Sequence, residues 1–190
     1  WYSSAASDVY KRQTMSIMVM VTSAVLVKNA GFSSSTLLAS QAQEIALDIR
    51  STQQLGVNSL IESTGSDLPA AGMYFDAAEP GQYQLFIDND DDNRYDAGEE
   101  AGEAFLLDSR FIIQEICHEE SGSRECGSAR KASVAFRRPN FDAIIRSSAA
   151  SGSGYGLTGR TWIEIVVAPV SGNGNTRSVI VYETGQISLE

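Results

Sequence analysis

The apolar positions of the first part of the chain follow two consecutive patterns. From Met15 to Val27 the sequence MSIMVMVTSAVLV has no charged residue, so a helix formed here is apolar on every side. From Ser35 to Asn58 one stripe of apolar residues recurs at helical spacing: Leu38, Ala42, Ile45 and Ile49. No proline interrupts residues 15–54, so we predict one long helix whose stripe packs on a folded domain.

The rest of the chain has the alternation of β-strands. Strands are predicted at residues 83–87, 111–117, 132–136, 161–167, 177–182 and 186–189. The Gly- and Asn-rich segment 171–175 separates two of them and predicts a hairpin. Because no segment after Asn58 has convincing helical periodicity, we predict an α+β fold, in which a long N-terminal α-helix packs on an antiparallel β-sheet domain. The predicted domain organisation is an unassigned or non-native leader (1–13), the helix (14–60) and the β domain (61–190).

The composition narrows the classes of function. The 190 residues carry a formal net charge of −10, with a sequence pI of about 4.5, which argues against a surface that binds nucleic-acid phosphates. One histidine and two cysteines leave little room for the usual zinc ligand sets. No nucleophile–base set is found, so we predict that the protein is not an enzyme. A carboxylate pair for glycoside hydrolysis stays open, since sequence spacing does not give the separation of the carboxylates.

An acidic segment, DNDDDNRYDAGE (residues 88–99), has the spacing of a calcium-binding loop. Positions 1, 3, 5, 7, 9 and 12 of an EF-hand loop supply the oxygen ligands, the seventh through its backbone carbonyl. The corresponding residues are Asp88, Asp90, Asp92, Arg94, Asp96 and Glu99. Asn93 stands where glycine is usual, and asparagine tolerates the left-handed conformation of that turn. With strands on both sides, the segment predicts a structural calcium site in a hairpin, and a solvated acidic turn is the alternative.

The two cysteines stand close together in the sequence. Cys117 and Cys126 flank a Gly- and Ser-containing segment, and in an exported protein this pattern predicts a disulfide. Two reduced thiols in a cytosolic protein are the alternative. His118 follows Cys117 directly, and neighbours on a strand point to opposite faces. We therefore expect no Cys–His nucleophile pair here, and we expect His118 to lie on the surface.

Three segments together resemble a known family. The apolar helix continues into SQAQEIALDIRSTQQLGVNS, Ala132–Ile145 reads ASVAFRRPNFDAII, and the chain closes with SVIVYETGQISLE. This arrangement is similar to type IV pilin-like proteins, and it most resembles the minor pilins and pseudopilins of the GspH/FimT type. The resemblance covers about residues 14–60 and 130–190. The family's processing signal, a glycine followed by Phe, three residues and a glutamate, is not present, and residues 1–13 are expected to replace the true leader.

The resemblance implies a structural subunit of a type IV pilus or a type II secretion system. It implies that the helix is a pilin-like spine, which holds the subunit in the inner membrane and packs against other pilin or pseudopilin subunits. The β domain is then expected to be periplasmic or extracellular, where a calcium ion and a disulfide stiffen it. No small-molecule substrate is identified.

Two alternatives stay open at this stage. The first is a membrane-anchored or exported calcium-dependent adhesin or carbohydrate-binding module, which the same acidic loop and β domain support. The second is a DNA-uptake minor pilin, which needs an electropositive patch. The candidate cations for such a patch are Lys131, Arg137, Arg138 and Arg146. On a chain this acidic, nucleic acid is an unlikely partner.

Overall fold

The computed structural model describes residues 3–58, 69–120, 122–149, 160–172 and 175–190. Within these ranges, side chains are described except at residues 3–8, 27–33 and 120. The chain divides into two compact units, Trp1–Leu37 and Leu38–Glu190.

Helical backbone, α1, covers Ser3–Asn58. Its described side chains form two stretches, residues 9–26 and residues 34–58. The first stretch lies in the first unit, and the second stretch belongs to the second unit from Leu38 onward. In the first stretch the large apolar side chains are exposed on all sides of the helix, with Met18 at 72% and Met20 at 73% exposure. In the second stretch the stripe is buried: Leu38 and Ala42 are 2% exposed, and Ile45 and Ile49 are fully buried.

The unit Leu38–Glu190 contains ten strands in two antiparallel sheets. The strands are β1 (Ala71–Asp76), β2 (Gln82–Ile87), β3 (Phe105–Leu106), β4 (Phe111–Glu120), β5 (Ser123–Gly127), β6 (Lys131–Phe136), β7 (Ala143–Ser147), β8 (Trp162–Pro169), β9 (Arg177–Tyr182) and β10 (Ile187–Leu189). Sheet A has the order β3-β2-β1-β6-β7, and sheet B has the order β10-β9-β8-β4-β5. The predicted hairpin across residues 171–175 is present, because β8 and β9 pair antiparallel; residues 173–174 lie outside the described residues.

The second helical stretch makes polar contacts with sheet A and with the turn beside β10. The Tyr83 hydroxyl in β2 donates a hydrogen bond of 2.5 Å to Asp48 Oδ2. The Gln53 amide donates to the carbonyl oxygens of Phe141 and Gly185. These bonds, together with the buried stripe, join the helix to the β structure of this unit.

The prediction of one long spine helix packed on an antiparallel β-sheet domain is wrong. Where side chains are described, the helical residues form two shorter segments, residues 9–26 and 34–58, and the fold is mostly β, with two five-stranded sheets. The physical reason lies in the two apolar patterns. Only the second has a stripe that a sheet can bury, whereas the first is apolar all round and has no preferred face for this domain. The absence of proline predicted a continuous helical backbone, but it carried no information on packing.

Among the described residues, no helix is long and apolar enough to cross a membrane. The expected location in the inner membrane therefore stays a prediction without structural support.

Candidate metal centre

The acidic segment lies in the long connection between β2 and β3. These strands pair antiparallel, with Tyr83 opposite Phe105, so residues 88–104 form the loop of a hairpin. The backbone nitrogen of Ile87 donates to the Glu99 carbonyl oxygen at 3.0 Å, and that of Asp88 donates to the Ala70 carbonyl oxygen at 2.9 Å. The first bond holds the two ends of the twelve-residue segment side by side, and the second joins the segment to the residue that precedes β1.

Backbone N–H groups orient the first and last carboxylates of the segment. Asp88 Oδ1 accepts a bond from the nitrogen of Asp91 at 2.8 Å, and Oδ2 accepts one from the nitrogen of Asn93 at 3.0 Å. Glu99 accepts from the nitrogens of Asn89 at 2.8 Å and Asp96 at 3.0 Å. Asp88 is 2% exposed and Glu99 is 7% exposed. Both carboxylates are therefore held by backbone hydrogen bonds and largely shielded from water.

The turn conformation agrees with the expected role of Asn93. Its φ is +59°, and that of Asp91 is +68°. Asparagine and aspartate are among the few L-residues that enter the left-handed region at low cost. The chain therefore makes the sharp bend of a calcium loop without a glycine at this position.

The predicted ligands form two overlapping groups. Oxygen atoms of Asp88, Asp90 and Glu99 lie within 4.8 Å of one another, and so do those of Asp90, Asp92 and Asp96. Asp90 belongs to both groups. All five predicted carboxylates are thus brought together around Asp90. The remaining predicted ligand, the Arg94 carbonyl oxygen, belongs to a residue whose side chain pairs with Asp92 at 2.5 Å and with Asp96 at 3.3 Å.

A second arginine reaches the loop from outside it. Arg137, which follows β6, contacts Asp88 Oδ2 at 3.5 Å, the carboxylate of Asp91, and Asn93 Oδ1 at 3.3 Å. Arg137 therefore pairs with the acidic loop. Its neighbour Arg138 instead donates to the Val57 carbonyl oxygen at 2.6 Å.

The buried carboxyl groups of Asp88 and Glu99 lie in an environment that disfavours ionisation of both. Burial raises the pKa of Asp88 above its ordinary value, against the lowering effect of its backbone hydrogen bonds and of Arg137. Burial likewise raises the pKa of Glu99, and the charges of Asp88 and Asp90 add to this. A divalent cation beside these oxygens would offset both costs.

The loop also packs on the outer face of sheet A. Tyr95 stacks on Tyr74 of β1, with ring centroids 4.4 Å apart, and meets the ring of Phe86 edge-on at 5.9 Å. Phe86 is fully buried in a small cluster with Ala70 and Ala135. The Ser133 hydroxyl on β6 donates to the Asn93 carbonyl oxygen at 3.2 Å. The segment is therefore attached to the sheet by a hydrophobic cluster of its own.

These residues fit calcium in their chemistry. Calcium takes six to eight oxygen ligands, which come mainly from carboxylates and carbonyls, and the loop offers carboxylate oxygens held by backbone hydrogen bonds. The two arginines supply competing positive charge at the same oxygens.

Cys117 and Cys126 form a disulfide, as the sequence predicts. They are directly opposite each other on β4 and β5. The expectation for the adjacent His118 is wrong, because this residue is fully buried. Its ring contacts the Ser147 hydroxyl at 2.7 Å and the Arg130 guanidinium at 2.8 Å, so it belongs to a buried polar network that joins sheet B to sheet A.

Sheet A also has a feature that the sequence patterns did not predict. Tyr74, Asp76, Gln82, Gln84 and Lys131 line a cavity on the same face as the acidic loop. A polar residue at every second position of β1 and β2 was the available signal. It was weak, because β1 itself was not predicted.

No family model, curated protein or solved structure matches this chain. The resemblance to GspH/FimT-type minor pilins and pseudopilins accordingly stays a prediction.

Proposed function

We propose that this protein is a structural, non-enzymatic subunit of the minor pilin or pseudopilin kind, with one calcium ion bound at residues 88–99 of its β domain. The observation that carries the proposal is the convergence of carboxylates around Asp90, in a loop that is packed on sheet A through Tyr95. Asp88, Asp90 and Glu99 would hold the ion, with Asp92 and Asp96 completing the oxygen set. The ion would supply the positive charge that lets these carboxylates stay ionised together.

The role of calcium in this proposal is mechanical. The ion links Asp88 at the end of β2 to Glu99, near the return toward β3, and so closes the base of the loop. Because Tyr95 lies between these ligands in the sequence, a closed loop holds its ring on Tyr74. Calcium binding to the folded chain then stabilises the domain by mass action.

Calcium titration by calorimetry tests the proposed calcium binding at residues 88–99. We expect one ion per chain and a loss of affinity of at least about tenfold in Asp90→Asn. Asp90 suits the test because its side chain is exposed and, within the described residues, accepts only the Asp92 backbone N–H. The control variant is Asp142→Asn, which makes the same charge change at an exposed residue outside the loop. This variant should bind calcium as the wild type does. Absence of saturable binding at millimolar calcium, or equal binding by the two variants, would contradict the proposal.

The assembly role is supported by the first helical stretch. Its uncharged segment exposes large apolar side chains on all sides: Met15, Ile17, Met18, Val19, Met20, Val21, Val25 and Leu26. A helix that is apolar all round is normally buried among other elements. We propose that helices of other pilin-like subunits, including further copies of this chain, bury it.

Sedimentation of the full chain over a range of concentrations tests the assembly role. We expect concentration-dependent association, and we expect it to be lost when Met18 and Val21 are both replaced by glutamate. Leu47→Glu is the control, because Leu47 is 62% exposed but lies on the second helical stretch; it should associate as the wild type does. A monomeric wild-type chain, or association that survives in the double variant, would contradict the assembly role.

The disulfide supports a location outside the cytoplasm. Disulfides persist in oxidising compartments and are rare in the cytosol. We propose that the β domain is periplasmic or extracellular.

The contacts of the candidate cations do not favour the DNA-uptake alternative. Arg137 is engaged with the acidic loop, Lys131 with Asp76 at 3.5 Å, and Arg138 with a backbone carbonyl oxygen. Phosphate binding would have to compete with these contacts.

A further inference from the structure

Sheet A carries a polar cavity beside the acidic loop. The cavity has a volume of about 200 Å³. Its floor consists of outward-facing residues on three neighbouring strands, with Tyr74 opposite Gln84 on β1 and β2, and Asp76 opposite Lys131 on β1 and β6. Gln82 lies two positions from Gln84 on the same face of β2.

Aromatic rings form one wall of this cavity. Tyr74 and Tyr95 both line it, and their rings stack on each other. Since Tyr95 belongs to the acidic loop, the loop shapes the cavity without placing its buried carboxylates there. The opposite rim contains Glu79, which is exposed.

The amide groups of the floor are oriented by the protein. Gln82 Nε2 donates to Glu79 at 3.0 Å, and Gln84 Nε2 donates to the Gly102 carbonyl oxygen at 3.2 Å. Within the described part of the chain, no hydrogen bond reaches the oxygen of either side-chain amide. Both oxygens are therefore acceptors held in fixed planes.

The one lysine of the cavity neutralises its one buried carboxylate. Lys131 Nζ lies 3.5 Å from Asp76 Oδ2, so the floor carries no net charge, and the remaining charge is that of the exposed Glu79 at the rim. Glu79 and the net charge of −10 repel an anion. A polyhydroxylated molecule finds amide acceptors for its O–H groups, an ammonium donor for its oxygens and aromatic surface for its C–H groups.

We propose that this cavity binds a neutral saccharide. Its volume is below the roughly 300–1,000 Å³ of sites for drug-sized ligands, so it admits a single sugar unit, such as the end of a glycan. The amide oxygens of Gln82 and Gln84 accept bonds from its hydroxyl groups, and Tyr74 and Tyr95 contact its apolar face. Asp76 accepts from the Tyr74 hydroxyl and the Ala78 nitrogen, so it shapes the floor and is not offered to the sugar. The proposal goes beyond the assembly role and does not depend on it.

Ligand-observed NMR on the full chain, with calcium present throughout, tests the saccharide site. The probes are glucose, galactose, mannose and N-acetylglucosamine, each up to about 50 mM, since shallow single-sugar sites have millimolar dissociation constants. We expect saturable binding of at least one sugar and a loss of affinity of about fivefold or more in Gln82→Leu. Gln186→Leu makes the same change at an exposed position outside the cavity and should bind as the wild type does.

Three results would overturn the proposal. One is the absence of saturable binding for all four sugars. Another is equal binding by Gln82→Leu and Gln186→Leu, which would place the sugar elsewhere. The third is tighter binding of free lysine or inorganic phosphate at the cavity, which would identify a charged ligand instead. If Gln82→Leu does not fold, Lys131→Met gives the same comparison, because Lys131 is a partly exposed residue of the floor and its ammonium pairs only with Asp76 among the described residues.

Discussion

Tyr95 lies on Tyr74 with an interplanar angle of 30° and ring centroids 4.4 Å apart, and this contact connects the acidic loop to sheet A. The Tyr95 hydroxyl donates to Glu100 at 2.6 Å. Burial and the Glu100 carboxylate together raise the pKa of Tyr95 to about 12. The residue thus stays protonated and packed over the physiological pH range.

Removal of the Tyr95 ring should destabilise the domain. We expect Tyr95→Ala to lower the free energy of unfolding by about 2 kcal/mol, since a half-buried ring and two aromatic contacts are lost. Tyr95→Phe keeps the ring and loses the exposed hydrogen bond to Glu100, so it should cost about 0.5–1 kcal/mol. Urea unfolding monitored by circular dichroism measures both. Equal destabilisation by the two variants would show that the hydroxyl, and not the stacking, holds the loop.

The Tyr83–Asp48 hydrogen bond predicts a loss of stability at alkaline pH. Burial, followed by the bond to Asp48, raises the pKa of Tyr83 far above its ordinary value of 10. The unfolded chain therefore loses this proton first, and the stabilisation present below pH 10 is lost as pH rises toward the folded-state pKa. Between pH 10 and 11 the stability should fall by about 1 kcal/mol more in the wild type than in Tyr83→Phe.

Urea unfolding at the two pH values measures this difference. Tyr10→Phe, at an exposed residue of the N-terminal unit, should keep the wild-type dependence on pH. An equal decrease of the free energy of unfolding in the wild type and in Tyr83→Phe would contradict the assigned role of Tyr83.

The disulfide should contribute by restricting the unfolded chain. Cys117 and Cys126 are nine positions apart, and a loop of this size is expected to stabilise by about 2–3 kcal/mol on the chain-entropy estimate. Reduction should lower the melting temperature of the wild type. A variant with both cysteines replaced by alanine should melt at the temperature of the reduced wild type, whether or not reductant is present. An unchanged wild-type melting temperature after verified reduction would disprove the contribution.

Arg137 should weaken calcium binding while it stabilises the loop without calcium. Its guanidinium contacts Asp88 and Asp91, so a bound cation at these oxygens meets a positive charge nearby. We expect Arg137→Gln to tighten calcium binding by about threefold to tenfold. Arg138→Gln removes the same charge from a residue bonded to the Val57 carbonyl oxygen and should have a smaller effect. Weaker calcium binding in Arg137→Gln would show that Arg137 supports the site instead.

Much of the β structure followed from local sequence patterns. The period-2 alternation of residues 161–167 and 177–182, with a Gly- and Asn-rich turn between them, predicted a hairpin that is present. The spacing of the acidic segment predicted a loop between two strands, and β2 and β3 do flank it. These features depend on neighbours in the sequence, which is why they were predictable.

The features that were missed depend on contacts between distant residues. β1 and β7 are short and include small residues, and their strand character comes from pairing with β6, which lies between them in the sheet. His118 was expected on the surface because it follows Cys117 on a strand, where neighbours point to opposite faces. Its burial results from Ser147 and Arg130, 29 and 12 positions away. The cavity on sheet A likewise required the register of three strands.

Thermal unfolding with calcium and with chelator tests the calcium-bound loop most directly. At a calcium concentration about one hundred times the dissociation constant, binding adds about 2.7 kcal/mol. For a domain of this size that corresponds to a rise in melting temperature of about 5–10 °C. We predict this rise for the wild type and its loss in Asp90→Ala, while magnesium at the same concentration produces a smaller rise. Identical melting curves with calcium and with chelator would contradict the account.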